Sequence, residues 1–269
     1  MMDKTQIRLN KFLAERLGIS RREADTLISD GKILINNQPA VTGVRIDKNS
    51  KVCYNGKIIP FEVDFLYLAF NKPVGYVCSR RAQGDAPTLY ELLPKKYQNL
   101  KTVGRLDKDS SGIILLTNDG DFAYQMTHPK FRKEKIYQVS LDKSLQPLHQ
   151  QMISDYGVML TDGPSKFTVI KAENELDNSR AFATTEKNND TWAGDTTGGT
   201  PAEALADVGE TVAAGPAQRY VVILSEGRNR QIRRTFAALG YTVTKLHRTQ
   251  FGKYQLGNLE FGKYDIIKP

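Results

Sequence analysis

The residue types best able to do chemistry are concentrated at positions 104–112, which read GRLDKDSSG. The two aspartates of this polar stretch, Asp107 and Asp109, allow three interpretations. Aspartate and serine side chains commonly cap backbone groups, so the stretch could be a structural turn. One carboxylate could instead act as a base or a nucleophile in catalysis. The pair could also bind Mg²⁺ together with substrate phosphates.

The sequence argues against several other kinds of site. Residues 107–118 fit the first positions of a calcium-binding EF-hand loop, but the last position, which requires a bidentate glutamate, is Asn118. The chain has no GxxxxGK[ST], GxSxG or HExxH motif, and its three histidines are far apart in sequence. With only Cys53 and Cys78 it has no CxxC motif and no disulfide framework, which favours a reducing cytoplasm.

Tyr137 lies in an alternating run at residues 135–141. The alternation places Tyr137 on the same face as Val139 and Leu141, which is the apolar face. A tyrosine in this position is typical of a protein core. Because a pocket can form at the edge of a core, a role in a site stays open.

Arg233 lies in a predicted helix at residues 230–239, whose apolar stripe includes Ile232 and Phe236. At about 100° per residue, Arg233 falls on the shoulder of that stripe, whereas Arg234 points away from it. The geometry predicts that Arg233 reaches into a cleft beside the core and that Arg234 meets solvent or phosphate. A solvated basic helix face is the alternative.

The elements that must position these residues are mostly strands. Apolar strand-like runs occur at residues 66–70, 113–117, 136–141, 167–170 and 220–224, and helical patterns at 122–126, 148–153 and 230–239. This pattern predicts an α+β fold with a mostly antiparallel sheet. At about 150 residues per domain, a chain of 269 residues suggests two domains, which we place at residues 1–62 and 63–269.

The first domain begins with two predicted short helices. A helical apolar stripe from Leu9 ends at Gly18, and Ser20 with Glu23 forms a capping box that opens the second helix. Basic residues lie on the outer faces of these helices and at the start of the strand that follows. They are Arg8, Lys11, Arg16, Arg21, Arg22 and Lys32. Such a surface suits RNA phosphates, although a solvated helix face has the same pattern.

Charge is distributed unevenly along the chain. The net charge is +8 at pH 7, yet residues 173–217 hold nine acidic residues against two basic ones, so the remainder carries +15. A body this basic favours a polyanionic partner such as nucleic acid. Residues 173–217 lack aliphatic periodicity and are predicted to be a disordered insert. No apolar run approaches the roughly 18 residues of a membrane span, so we expect no membrane association.

The N-terminal region resembles the S4 domain, a small RNA-binding module. The similar segments are RLNKFLA at 8–14, GISRREAD at 18–25 and ISDGKILIN at 28–36. The resemblance implies that structured RNA is held through its backbone by the basic surface. The residues implied in this contact are Arg8, Lys11, Arg21, Arg22 and Lys32.

Residues 104–118, GRLDKDSSGIILLTN, resemble the signature of the RsuA-type pseudouridine synthases, which isomerise uridine in ribosomal RNA. Further similar segments are FNKPVG at 70–75, EKIY at 134–137, EGRNRQIRR at 226–234 and KLHR at 245–248. An S4 domain ahead of the catalytic domain is the arrangement of that family. The resemblance spans the chain except for the acidic insert.

The resemblance implies specific roles for residues of the second domain. Asp107 would be the catalytic carboxylate, Tyr137 would stack on the flipped uracil, and Arg233 would pair with Asp107 to keep it ionised and oriented. The residues implied to contact the nucleotide or the RNA are Arg105, Leu246, Arg228 and Arg230. The target uridine must leave the helical stack. Because nothing is oxidised and no group leaves, no cofactor and no metal are expected.

The sequence thus predicts a monomeric, cytoplasmic pseudouridine synthase that acts on ribosomal RNA or a pre-ribosomal particle. A non-catalytic RNA-binding or ribosome-assembly factor with the same fold is the main alternative. The joint presence of Asp107, Tyr137 and Arg233 favours the enzyme, since a factor without activity would be expected to lose one of them. Metal-dependent RNA hydrolysis by Asp107 and Asp109 is a third hypothesis.

Overall fold

A computed structural model describes residues 6–80, 83–172 and 218–269 of the chain. Buried apolar side chains form one core within residues 9–59 and two further clusters within residues 68–267. The predicted disordered insert at 173–217 lies outside the described residues. Within the described ranges, no helix has the length and apolar character needed to cross a membrane.

The N-terminal part consists of two helices and six short strands. The helices are α1 (Leu9–Arg16) and α2 (Arg21–Ser29); the strands are β1 (Ile7–Arg8), β2 (Ile33–Ile35), β3 (Gln38–Pro39), β4 (Arg45–Ile46), β5 (Val52–Tyr54) and β6 (Lys57–Ile58). The predicted capping box is confirmed. The Glu23 N–H donates to Ser20 Oγ at 3.1 Å, and the Ser20 N–H donates to the Glu23 carboxylate at 3.4 Å.

The second part is built on strands, with three α-helices among the described residues. Its strands are β7 (Tyr67–Lys72), β8 (Lys101–Val103), β9 (Ser111–Thr117), β10 (Lys135–Leu141), β11 (Val158–Leu160), β12 (Gly163–Ser165), β13 (Thr168–Lys171), β14 (Gln218–Leu224), β15 (Val243–Phe251), β16 (Tyr254–Gln255) and β17 (Tyr264–Ile266). Its α-helices are α3 (Gly120–Thr127), α4 (Pro147–Gln151) and α5 (Gln231–Ala238), with 3₁₀ turns at Leu89–Leu92, Lys95–Tyr97 and Pro129–Phe131 and a π-helical turn at Met152–Tyr156.

A nine-stranded sheet organises this second part. Its strand order is β13-β14-β10-β15-β9-β7-β17, with β16 on β15 and β8 on β9. Every pair in it is antiparallel except β9 with β15. The predicted α+β fold with a mostly antiparallel sheet is therefore confirmed. The strand predicted at residues 66–70 runs further than expected, through Lys72, and Pro73 follows its end.

The parallel junction between β9 and β15 requires Gly112. Its φ of +109° is in the region that favours glycine, and a Cβ added there would lie 2.1 Å from the Arg248 carbonyl oxygen. Glycine thus lets the two strands approach each other directly after the GRLDKDSS loop. The junction brings the middle of β15 next to Asp107 and its neighbours.

The two parts of the molecule contact each other through α1. The Lys11 ammonium binds both oxygens of Asp121, at the start of α3, at 2.6 and 2.7 Å. Lys101, at the start of β8, donates to the carbonyls of Ala14 and Ile19 at 3.3 and 2.9 Å. These contacts place the basic N-terminal helices beside α3.

Candidate active site

A cleft of about 310 Å³ lies where β10, β15, the loop before β9 and the segment before α5 meet. Loop residues 104–107 form one wall, and residues 224–232 form another. Six of the seven site residues predicted in the second domain line this cleft, namely Arg105, Asp107, Tyr137, Arg228, Arg230 and Leu246. Arg233 is the exception: it contacts residues 104–110, the loop before β9 that we call the aspartate loop, instead of the cleft.

Asp107 lies in a tight turn on the cleft wall. The Ser110 N–H donates to the Asp107 carbonyl at 3.1 Å, which closes the turn. The carboxylate takes no part in this backbone contact, and 32% of the side chain is exposed. The backbone of this stretch therefore forms a turn, while the carboxylate of Asp107 stays available to a bound molecule.

Lys72, at the end of β7, binds this loop through its ammonium group. It was not predicted as a site residue. Its side chain is completely buried, and its ammonium donates to the carbonyls of Pro73 and Ser110 at 2.9 and 2.7 Å. Burial lowers the pKa of Lys72 to about 8. A sequence signal existed: Leu68, Phe70 and Lys72 alternate on one face of β7, and all three are buried.

Asp109 is bound by two arginines from the N-terminal end of α5. Arg230 donates to both of its oxygens at 3.1 and 3.0 Å, and Arg233 donates to its carbonyl at 2.7 Å. The Arg233 Nε lies 3.3 Å from Asp109 Oδ2, an ion-pair contact without hydrogen-bond geometry. Burial favours the neutral acid, but these cations and the Arg230 hydrogen bond still lower the pKa of Asp109.

The expected pairing of Arg233 with Asp107 is therefore wrong. The cation beside Asp107 is Arg230, at 3.8 Å, while Arg233 bridges Asp109 and the Val243 carbonyl of β15 at 2.8 Å. The sequence placed Arg230 inside the helix, whereas α5 begins at Gln231. Arg230 has a φ of +45°, a strained conformation that turns its side chain to the two aspartates.

The same contacts argue against Asp107 and Asp109 as a magnesium pair. Both oxygens of Asp109 already accept hydrogen bonds from the Arg230 guanidinium. This group is positively charged and therefore repels Mg²⁺. In the described part of the chain, no group of three or more His, Cys, Asp or Glu side chains is arranged to hold a metal ion.

Arg228 and Arg234 have a structural partner that the sequence did not reveal. Arg234 binds both oxygens of Asp162 at 3.1 and 2.8 Å, and Arg228 donates to Asp162 and to the carbonyls of Gly163 and Pro164. Arg234 does not point freely into solvent, and Arg228 ties the β11–β12 hairpin to the cleft wall. Asp162 lies more than 60 residues away in sequence, so local pattern could not identify this contact.

Tyr137 and Leu246 form the apolar floor of the cleft. Both are buried, at 8% and 7% exposure, and Tyr137 belongs to the main core as predicted. Arg248, unpredicted and 2% exposed, donates to the Ile113 carbonyl at 2.8 Å and approaches the Tyr137 hydroxyl at 3.5 Å. Burial and the charge of Arg248 lower the pKa of nearby Lys135 to about 8.

The bases of the N-terminal helices differ in their surroundings. Arg8, Arg21 and Arg22 are exposed, and Lys32 is exposed while it pairs with Asp30 at 3.0 Å. Two other bases are not on a free surface as expected. Lys11 binds Asp121, and Arg16 donates to the carbonyls of Pro60 and Phe61.

Comparison with known proteins decides the family. Residues 66–238 match the model of the RNA pseudouridylate synthase family, and residues 7–52 match the S4 domain. The chain belongs to the RNA pseudouridylate synthase family. This pseudouridine synthase is 30% identical over 263 residues to ribosomal small subunit pseudouridine synthase A of Pasteurella multocida, covering 96% of this chain and 94% of the relative. It is 31% identical over 266 residues to the dual-specificity RNA pseudouridine synthase RluF of Salmonella typhi, covering 98% of this chain and 76% of the relative.

A solved structure agrees with this assignment. The crystal structure of a pseudouridylate synthase matches 97% of this chain and 96% of its own length, with a TM-score of 0.59 and 25% identity. The family, the S4 domain and the enzyme class predicted from the sequence are thereby confirmed. The family match at 66–238 contains the aspartate loop, β10 and α5 of this pseudouridine synthase.

Proposed function

We propose that this enzyme converts a uridine of ribosomal RNA to pseudouridine, with Asp107 as the carboxylate that acts on the ribose and without a cofactor. The observation that carries the proposal is the position of Asp107. Its part-exposed side chain lines the cleft, with an arginine 3.8 Å away, and the buried Tyr137 and Leu246 line the same cleft. A carboxylate and an apolar surface in one cleft are what a reaction on the ribose beside its base requires.

The reaction breaks the bond from ribose C1′ to uracil N1, rotates the base and forms a bond from C1′ to C5. The proton at C5 is lost and N1 gains one, so substrate and product have the same atoms and no electrons are exchanged. An ionised carboxylate suffices to act on the sugar, as a nucleophile at C1′ or as a base.

The surrounding contacts support Asp107 in this role by fixing its loop. Lys72 binds the Ser110 carbonyl, Arg233 binds the Asp109 carbonyl, and Arg230 binds the Asp109 carboxylate. The loop is thus held from β7 and from α5 at once. A reacting group that is held in place avoids the cost of ordering it during the reaction.

The cleft also fits an extruded base. A uracil within a helix is inaccessible, so the target nucleotide must rotate out of the stack to meet Asp107. Tyr137 and Leu246 offer the buried apolar contact that a flipped base needs. In this proposal, Arg105 contacts the RNA from which the nucleotide has left, since it is exposed at the cleft wall.

Ribosomal RNA is proposed as the substrate on two grounds. The S4 domain presents Arg8, Arg21 and Arg22 as an exposed basic surface, which suits the backbone of structured RNA. The relatives named above are a ribosomal small subunit enzyme and a dual-specificity enzyme, and a ribosomal large subunit enzyme of Pseudomonas aeruginosa is also 30% identical. These identities are nearly equal, so they do not select a subunit.

The test is to map pseudouridines in ribosomal RNA from cells with and without the gene. We expect one or more sites to disappear without it and to return when the purified enzyme is added to that RNA in the presence of EDTA. An unchanged pseudouridine map would contradict ribosomal RNA as the substrate. Activity that EDTA abolishes and a divalent metal restores would contradict the cofactor-free reaction.

A further inference from the structure

A cluster of exposed aromatic side chains borders the cleft beside α3. Tyr124 in α3 and Phe131 in the following 3₁₀ turn are 45% and 38% exposed. Their ring centroids lie 5.8 Å apart at 90°, and the His128 ring lies 4.6 Å from that of Tyr124. We call Tyr124, His128 and Phe131 the aromatic rim. Exposed aromatic side chains that contact one another at the edge of a cleft are typical of a binding surface.

The aromatic rim is continuous with the active-site cleft. Thr127 and Pro129, which lie between its members in sequence, both line the cleft. In the first turn of α3, Asp121 pairs with Lys11 of the S4 domain. An RNA strand that passes from the S4 domain to Asp107 would therefore cross the rim.

The charge of the rim suits a nucleotide. The Lys130 ammonium lies 5.1 Å from the centre of the Tyr124 ring and 4.6 Å from that of Phe131. Arg132 and Lys133 follow, against the single acid Glu134 in residues 130–134. Aromatic rings for stacking beside bases for phosphate are the combination that binds single-stranded nucleic acid.

We propose that the aromatic rim binds an unpaired nucleotide next to the target uridine, with its base stacked on Tyr124 or Phe131 and its phosphate near Lys130. The inference rests on the proposed function and specifies its substrate: the target uridine lies in or beside an unpaired segment of the RNA. A base within a duplex has no free face for this stacking, so fully paired RNA would lose the contact.

The test compares Tyr124→Ala and Phe131→Ala with two controls. Tyr124→Phe keeps the ring, and Tyr156→Ala removes an aromatic side chain that is 76% exposed and outside the cleft lining. Pseudouridine formation is measured on ribosomal RNA from cells that lack the gene. Because stacking of one base contributes strongly to binding, we expect KM to rise roughly fivefold to a hundredfold in both alanine variants. The rate at saturating RNA should stay near that of the wild type, and both controls should keep the wild-type KM.

Three results would overturn the inference in a preparation whose wild type is active. The first is an unchanged KM in both alanine variants. The second is a KM in Tyr124→Phe that rises as much as in Tyr124→Ala. The third is a KM in Tyr156→Ala that rises as much as in the two rim variants. A wild-type enzyme that forms no pseudouridine in this RNA contradicts the proposed function instead, so the two failures are distinguishable.

Discussion

Two sets of basic residues, one in each domain, have opposite surroundings. In the S4 domain, Arg8, Arg21 and Arg22 are exposed on the helix surface. In the catalytic domain, Arg233 and Lys72 are mostly or fully buried and donate to backbone carbonyls of the aspartate loop. The same residue types thus provide an electrostatic surface in one region and a rigid support in the other.

This difference leads to the prediction that RNA binding and catalysis depend on separate groups. An exposed base attracts phosphate over a distance and is screened by salt. A buried base acts on the geometry of one loop and is little affected by salt. Substitutions in the S4 domain should therefore change salt-dependent affinity, and substitutions around the loop should change turnover.

Loss of the Asp107 carboxylate is expected to have the largest effect. Asp107→Asn keeps the size of the side chain but removes the negative charge that acts on the ribose. We expect single-turnover pseudouridine formation to fall by at least about 10³-fold, because a positioned acid or base contributes about 10²- to 10⁴-fold and a nucleophile contributes more. RNA affinity should change less than about threefold. Rapid turnover by Asp107→Asn would falsify the assignment.

Arg233 should matter more than its neighbour Arg234. Arg233→Ala removes the link between the aspartate loop and β15, and because Asp109 is 42% exposed the loss should be moderate, about 10- to 100-fold in single-turnover rate. Arg234→Ala breaks only an exposed pair with Asp162 and should cost less than about threefold. Equal losses in the two variants would show that the contacts of Arg233 with the loop are not what matters.

Lys72 should make the stability of the fold depend on pH. Its pKa is about 8 in the folded state against an ordinary 10.5, so the unfolded chain binds the proton more tightly. Below pH 8, Lys72 is charged in both states, and the whole destabilisation from burying that charge is present. As the pH rises to 10.5, this destabilisation disappears. Relative to Lys72→Met, the wild-type free energy of unfolding should increase over this window, by at most about 1.4 kcal/mol per pH unit.

Urea unfolding of both proteins at several pH values measures this slope, since shared titrating groups cancel in the difference. The exposed Lys95 gives a matched control: Lys95→Met should follow the wild type across the window. A constant difference between the wild type and Lys72→Met would mean that Lys72 does not titrate there.

Local pattern predicted much of this structure. The alternation around Tyr137, the Ser20 capping box and the apolar runs each depend on residues close in sequence, and each was found as expected. The resemblance to a known family grouped Asp107, Tyr137 and Leu246 as site residues, although they lie far apart in sequence, and all three line one cleft.

The partners of the arginines could not be predicted in this way. Arg233 could bind either aspartate of the loop. The choice depends on the left-handed conformation of Arg230 and on the close approach of β9 and β15 at Gly112. Both are tertiary features that a helical wheel does not contain. Lys72 is different, because extending the predicted strand by two residues would have placed its charge by alternation inside the core, where it requires acceptors.

The separation of binding from catalysis is best tested by one crossed experiment on Arg21→Ala/Arg22→Ala and Arg233→Ala. RNA affinity is measured over a range of salt, and single-turnover rate at saturating RNA is measured in parallel. In the double variant, we expect the slope of log affinity on log salt to fall by roughly one to two, with an unchanged rate. In Arg233→Ala, we expect an unchanged slope and the slower rate given above. If each variant alters both quantities to a similar extent, the two sets of bases do not have separate functions.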